Sequence, residues 1–468
     1  MTRTVGRSIA GLSWRTGLVY LVLFAAALGA YSTLWRGTPV IDGDSPQYQE
    51  VAKDLLDLRL DRFHYRTIGY PVLLALTGAA DHATALLLVV SILLHLASVW
   101  MLAVVLRASG VGPRWILAFG GLLLLPPFVE PAAWIMTENL SQFTLAAGLA
   151  CLVLGLSPTR YWLLGLSALA FGYAALTRPV YGALGPALAG LLLVLPRAAG
   201  SARLAWRDAA RGALVIAAGW LFVLGGTAYM NYAQFGRFGL GPSVGLHLCT
   251  KTMTFVERLP DDYAAAREIL VRARDAELVK RGGYHTGTQA VWGVREELSA
   301  ATGVPAEALP AYLLRMNLAL IARAPVEYLL DVAKAMAGYW FPPATPLSSM
   351  RSSVLRWTWG LLHGLLVSCF FAQVIVLAGV GLFEASKRAA GVRDRALAPW
   401  SGADGAQVRA YAIAGAIVLY TMLLSCFLDI GDPRQRRPTD VLVVFLCVLG
   451  LHMWHRSVRT AVQQGTTR

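Results

Sequence analysis

Long apolar runs separated by short polar gaps organise this chain. A membrane-crossing helix needs about 20 mostly apolar residues. Ten runs approach that length, at 16–35, 83–106, 114–129, 136–156, 161–177, 180–196, 212–232, 354–383, 410–428 and 439–455. The pattern predicts an all-α integral membrane protein with about ten transmembrane helices. Two stretches between the runs are longer and more polar, 37–82 and 233–350. The second far exceeds an ordinary connection. It reads as amphipathic helices near 261–280, 288–298, 306–321 and 326–340, a lid or platform at the membrane surface. The expected organisation is a transmembrane module over 1–232 containing the loop 37–82, a helical segment over 233–350, and further transmembrane helices over 351–468. The first run is too long for a cleaved signal peptide and lacks a small-residue cleavage site, so it is expected to stay as an anchor. No internal repeat or low-complexity tract is visible.

Composition narrows the class. Of 468 residues, 56% are hydrophobic and 15% charged, with mean hydropathy +0.55. Soluble domains average about 45–50% and about 25%. There is too little polar surface here for a cytosolic enzyme, a fibre or a disordered chain. The net charge is +14. The basic residues sit in alternate gaps between apolar runs, the placement of a membrane protein and not of a nucleic-acid binder. Arg3, Arg7, Arg15, Arg107, Arg114, Arg160, Arg197, Arg203, Arg207, Arg211, Arg388, Arg393, Arg395, Arg409, Arg456 and Arg459 all fall on one side if the N-terminus is cytoplasmic. That orientation places both termini inside and the segments 37–82 and 233–350 outside. The excess of Arg over Lys, with abundant Ala and Gly, suggests a bacterial cytoplasmic membrane. Five cysteines without a CxxC pair signal neither a disulfide framework nor a zinc site.

Ionisable residues at membrane depth are costly and are usually kept for function. In this orientation they gather on the outer side: Asp42 and Asp44, Glu130 and Glu138, Arg178, and the run Asp429, Asp432, Arg434, Arg436 and Arg437. Carboxylates mixed with guanidiniums suit an anionic substrate and proton transfer. In the segment IDGDSPQYQEVAKDLL, Ser45 is placed to cap a helix opening at Pro46. Asp44 then lies just ahead of a helix N-terminus, which stabilises its charge. Tyr48, Ala52 and Leu55 share one face. Arg66 precedes a Gly-Tyr-Pro turn in FHYRTIGYPVLLAL. His64 beside Asp61 offers too few ligands for a metal.

These residues carry a resemblance. Asp44 with Tyr48 and Ala52, followed by Arg66-x-x-Gly-Tyr-Pro, resembles the opening of the C-type (GT-C) glycosyltransferases. The nearest branch is the protein mannosyltransferase and aminoarabinose transferase group. Thr137-Glu138-x-Leu140, Leu176-Thr-Arg-Pro, the segment ARAPVEY at 322–328 and GDPRQRRPTD at 431–440 resemble later family motifs in the right order, with Gln435 where the family has a tyrosine. The resemblance implies a GT-C-like fold. It also implies transfer of a sugar from a polyprenyl-phosphate carrier to an acceptor hydroxyl at the outer face, with inversion. It implies Asp44 as general base, with Asp42, Tyr48, Arg66, Glu138, Arg178, Arg434 and Arg437 binding substrate. Partners would be membrane lipid, the lipid-linked sugar donor and a glycan, lipid or protein acceptor. No metal ligand is assigned, and divalent-metal dependence stays open.

Two other readings compete. One is a transporter or flippase for lipid-linked sugars, which would want repeated halves and broken mid-membrane helices. The other is a non-catalytic partner that binds polyprenyl phosphate. The orientation is directly testable. A reporter fused after residue 240 is expected to signal from the extracytoplasmic side, and a cytoplasmic signal would invert the topology.

Overall fold

Proline, glycine and the apolar runs set the helices of this chain, seen in a computed structural model. It describes residues 37–465 apart from 42, 60, 61, 63, 157–159, 199–205, 237, 240–243, 282–288, 343–352 and 390–404. The expected anchor at 16–35 and Asp42 lie outside the described residues. The α-helices longer than one turn are α1 Ser45–Leu56, α2 Gly69–Leu76, α3 Ala85–Ala108, α4 Pro113–Leu123, α5 Glu138–Gly155, α6 Tyr161–Thr177, α7 Leu184–Ala198 and α8 Trp206–Phe235. They continue as α9 Val244–Thr252, α10 Ala264–Arg281, α11 Arg295–Thr302, α12 Leu309–Arg323, α13 Pro325–Trp340, α14 Ser353–Ala389, α15 Gly405–Leu428 and α16 Pro433–Gly465. The protein is all-α.

Among the described residues, five helices are long and apolar enough to cross a membrane: α3, α8, Arg356–Gly379 within α14, α15, and Pro433–Arg459 within α16. They coincide with five of the expected spans, and the protein is a multi-pass membrane protein. The run 114–129 does not form the straight span expected of it. It breaks into Pro113–Leu123 and Pro126–Ala133, bent by 70°. Pro126 and Pro127 cannot donate the hydrogen bonds that would carry α4 onward. The runs at 136–156, 161–177 and 180–196 form α5, α6 and α7, of 18, 17 and 15 residues. Burial separates the roles of the spans. Only 17% of the apolar window of α14 is buried, against 61% for α16. So α14 turns Leu361, Leu365 and Ile375 outward, as a lipid-facing helix does, while α16 packs against α4, α5, α14 and α15.

The segment 244–340 has a core of its own, in which Leu246, Met253, Leu270, Leu298, Leu313 and Leu320 are buried. Three of its four expected helices appear as α10, α12 and α13. The fourth, at 288–298, is divided into a 3-10 turn, Gln289–Trp292, and α11. The short helix α9 was not foreseen, because nine residues of mixed polarity show little periodicity. It is held from two sides. Gly245 lies so close to α12 that a Cβ there would stand 2.0 Å from the Pro310 carbonyl oxygen. Lys251, fully buried, donates to the Asp331 carboxylate and carbonyl at 2.8 and 2.9 Å.

Local contacts then bring the loops around the site onto the bundle. Val40 exchanges backbone hydrogen bonds with Ala133 (2.7 Å) and Ile135 (3.0 Å). Ser45 does not cap α1. Its hydroxyl donates to the Ile135 carbonyl at 2.9 Å, and Asp44 occupies the cap position without a side-chain capping bond. Two glycines permit close backbone approach. A Cβ on Gly69 would lie 2.6 Å from the Leu176 backbone, and one on Gly431, at φ +68, would lie 2.5 Å from the Ala335 carbonyl oxygen. The first contact draws α2 onto the end of α6, and the second seats the α15–α16 turn on α13.

Breaking a buried ion pair from one side costs roughly 3–5 kcal/mol, because it strands the other charge. Lys251→Met is therefore expected to lower the thermal midpoint of the protein in detergent, with Asp331→Leu added on top restoring most of it. A Lys251→Met variant melting with the wild type would show the pair to be dispensable.

Candidate active site

Five of the residues singled out in the sequence converge on one ion-pair cluster. Asp44, at the start of α1, accepts from Arg66 through Oδ1 (2.6 Å) and from Arg434 through Oδ2 (2.8 Å). Arg434, in the first turn of α16, reaches past Asp44 to Glu138, its Nε 2.7 Å from Oε1. Arg178 approaches the same Glu138 oxygen at 3.4 Å. Glu138 opens α5 and is 1% exposed. A carboxylate so enclosed keeps its charge only with cations beside it. The cluster thus ties together the first loop, the start of α5, the end of α6 and the start of α16.

Each member is placed by its own local structure. Pro179 forces the residue before it out of the helical region, so α6 stops at Thr177 and Arg178 turns extended, at φ −138 and ψ 117. Thr67 donates to the Thr177 carbonyl at 3.3 Å, setting Arg66 beside Arg178. Arg66 is fixed further by Gln47, which accepts from its Nε at 2.8 Å, and by the Tyr48 ring 5.0 Å beneath its guanidinium. Tyr48 itself is buried edge-on against Tyr70. The backbone N–H of Arg434 donates to the Asp432 carboxylate at 2.7 Å, which braces the turn into α16.

Asp44, Arg66, Arg178 and Arg434 line a cavity of about 570 Å³, together with Gln47, Tyr48, Asp432 and Gln435. Glu138 is not among the lining residues; it lies beneath Arg434 and holds it. Arg437, expected to bind substrate, is also absent from the lining. It is 8% exposed and turned toward Glu130, with a closest approach of 3.9 Å. Arg436 is buried against Tyr339 and Asp440 and is structural. Sequence reasoning missed Gln47, His247, Thr250 and Trp292, which line the same cavity. Only the proximity of His247 to Lys251 in an otherwise apolar stretch could have flagged α9.

A second cavity, of about 660 Å³, adjoins the first, and Arg66, Thr67 and Val244 belong to the walls of both. Its other walls combine basic residues that follow α1, Arg59, Arg62 and His64, with apolar side chains of α8 and α12, among them Met230, Phe235 and Leu314. His64 pairs with the buried Asp54 at 3.0 Å. Among the described residues no three His, Cys, Asp or Glu side chains are grouped to hold a metal ion.

The electrostatics of Asp44 follow from this packing. Burial pushes its carboxyl up, and the charges of Arg66 and Arg434 more than reverse that, leaving it below its ordinary value. It is ionised at neutral pH, with both oxygens engaged.

No family model and no curated protein matches this chain in sequence. Among solved structures it is similar to ArnT from Cupriavidus metallidurans in the apo state, at 17% identity over 95% of this chain and 78% of that one, with a TM-score of 0.39. It is likewise similar to the same protein bound to undecaprenyl phosphate, at 17% identity over 95% and 79%, with a TM-score of 0.38. At that identity and score neither likeness bears on what this chain does.

A carboxyl group whose folded value is depressed stabilises the fold fully above its unfolded value, and that contribution is lost as pH falls through the folded one. For Asp44 the loss begins below the ordinary 3.8. Thermal midpoints measured down through that range are expected to fall less steeply for Asp44→Asn than for the wild type. Identical slopes would show that Asp44 gains nothing from the two arginines.

Proposed function

We propose that this chain is a membrane glycosyltransferase of the GT-C type, taking a sugar from a polyprenyl-phosphate carrier and passing it to an acceptor hydroxyl at the extracytoplasmic face of a bacterial cytoplasmic membrane. The observation that carries the reading is the position of Arg66. It stands where a polar, arginine-lined cavity meets a larger cavity with an apolar wall. That junction suits a ligand with an anionic head and a long apolar tail. The order of the motifs around Asp44, Glu138, Arg178 and Arg434 supports the same family.

The chemistry follows from the ion pairs. A phosphate entering between Arg66 and Arg434 competes with Asp44 for their N–H groups, and guanidinium binds phosphate through paired hydrogen bonds. Arg178, shared with Glu138, adds positive charge beside it. As the guanidiniums turn to the phosphate, the oxygens of Asp44 are released and its proton affinity rises. The acceptor oxygen then bonds to the anomeric carbon while the bond from that carbon to the phosphate oxygen breaks. The phosphate leaves with the electron pair, held by the arginines, and the acceptor proton passes to Asp44. A single displacement of this kind inverts the anomeric centre. Glu138 stays ionised beneath Arg434 and keeps it in place. Tyr48 supports Arg66 from below.

General-base removal costs about 10²–10⁴-fold in rate. With a synthetic polyprenyl-phosphate sugar as donor and release of polyprenyl phosphate as readout, Asp44→Asn is expected to lose at least that much. Arg66→Met and Arg434→Met are expected to weaken donor binding. Unchanged turnover in Asp44→Asn would remove the base from this mechanism. Donor carried across vesicles without cleavage would favour a flippase instead.

A further inference from the structure

The donor chemistry leaves part of the cavity wall unused. There His247 of α9 meets Asp429, the residue after α15, with Thr250 and Gln435 beside them. Asp429 is satisfied on both oxygens. Oδ1 accepts from the Thr250 hydroxyl at 2.9 Å and the Ile430 N–H at 2.8 Å. Oδ2 accepts from the Gln435 amide at 2.7 Å and from His247 Nδ1 at 2.8 Å. The Ile430 N–H on Oδ1 and the Gln435 amide and His247 ring on Oδ2 hold the group as an anion built into the wall.

A carboxylate on Nδ1 keeps the proton of a neutral imidazole there and leaves the lone pair on Nε2. Nε2 of His247 makes no hydrogen bond among the described residues, and the side chain is 35% exposed. The ring stands edge-on to Trp292 at 5.4 Å, which fixes its plane a second time. Nearby, Gln435 Oε1 is buried without a hydrogen-bond partner among the described residues. With its neutral ring protonated on Nδ1, His247 gives this part of the wall an oriented acceptor, the imidazole nitrogen, beside a fixed negative charge.

The distribution of charge decides what can sit against it. The guanidiniums lining the cavity are Arg66, Arg178 and Arg434, and all three are drawn to Asp44 and Glu138. A donor phosphate would use them. A second anion in the same cavity would face Asp429 with no further guanidinium among the described lining residues, whereas an O–H group would find an acceptor waiting.

We propose that the His247–Asp429 wall is the acceptor subsite, and that it takes an uncharged polyhydroxyl compound, a sugar or polyol, in preference to a phosphate. His247 Nε2 accepts a hydrogen bond from the acceptor, and Asp429 holds the ring in the form that can do so. The assignment to the acceptor rests on the transferase reading above.

The test reads the histidine directly, in the full-length protein in detergent with nitrogen-15 in its 8 histidines. The His247 signal is identified by its loss in His247→Asn. It is expected to show the tautomer with a bare Nε2 in the neutral ring. The Nε2 resonance is expected to shift with millimolar methyl glycosides and not with the corresponding sugar phosphates, and Asp429→Asn is expected to abolish both the tautomer preference and the response. A protonated Nε2, no response to any methyl glycoside, or an equal response to sugar phosphates would overturn the proposal. These spectra need no donor, so a wild type unable to cleave polyprenyl-phosphate sugars would overturn the transferase reading separately. Where the donor is cleaved, His247→Asn should raise the KM for a methyl glycoside acceptor about tenfold, as expected for losing one hydrogen bond to the acceptor, with the KM for the donor changed less than about twofold. An unchanged acceptor KM would also overturn it.

Discussion

A buried carboxylate that must stay charged governs this structure. Glu138 is 1% exposed at the opening of α5, where isolated ionisation is prohibitive. Arg434 answers it from 296 residues further along, and the same guanidinium reaches Asp44 across 390 residues. Everything near the site serves to make that meeting possible. Gly431 lets the α15–α16 turn press against α13. Gly69 lets the first loop reach the end of α6, and Pro179 turns Arg178 out of its helix. The bundle supplies rigidity, and the ion pairs decide which loop ends come together.

Much of this was legible in the residues themselves. Apolar runs located the described spans, since a bilayer imposes the same length on every helix that crosses it. Asp44, Arg66, Glu138, Arg178 and Arg434 could be singled out because charge is sparse in such a chain and these fall beside prolines, glycines and helix starts, while Tyr48 was marked by its helix face and by the family resemblance. What could not be read was partner choice. Arg434 and Arg437 are equally basic in sequence, yet one lines the cavity and the other turns to Glu130. Ser45, expected to cap α1, instead lies within its first turn and donates to Ile135, because a carbonyl from a distant segment lies within reach. The bend at Pro126 was also readable in principle, but the hydrophobicity around it masked the break. The contribution of α9 was hidden for a different reason. Its chemistry comes from a short helix packed on α12, and a contact of that kind leaves no periodic trace.

The two adjoining cavities give the site its direction. Arg66 faces both, so a headgroup bound there has a mainly apolar space on one side and a polar space on the other. Pairing the arginines with Asp44 and Glu138 also means that the site holds its charges in compensated form, and under the proposed mechanism an incoming phosphate would take over those guanidiniums and leave the Asp44 carboxylate uncompensated. Under that mechanism the proton affinity of Asp44 would rise only with the phosphate in place, coupling the readiness of the proposed base to the presence of the proposed donor.

That coupling is the central claim, and a structure of the full-length protein with polyprenyl phosphate bound tests it most directly. The account predicts the phosphate oxygens against Arg66 and Arg434, the tail in the cavity walled by Met230, Phe235 and Leu314, and Asp44 parted from at least one of its two guanidiniums. A headgroup seated elsewhere, with Asp44 still holding both arginines, would contradict it.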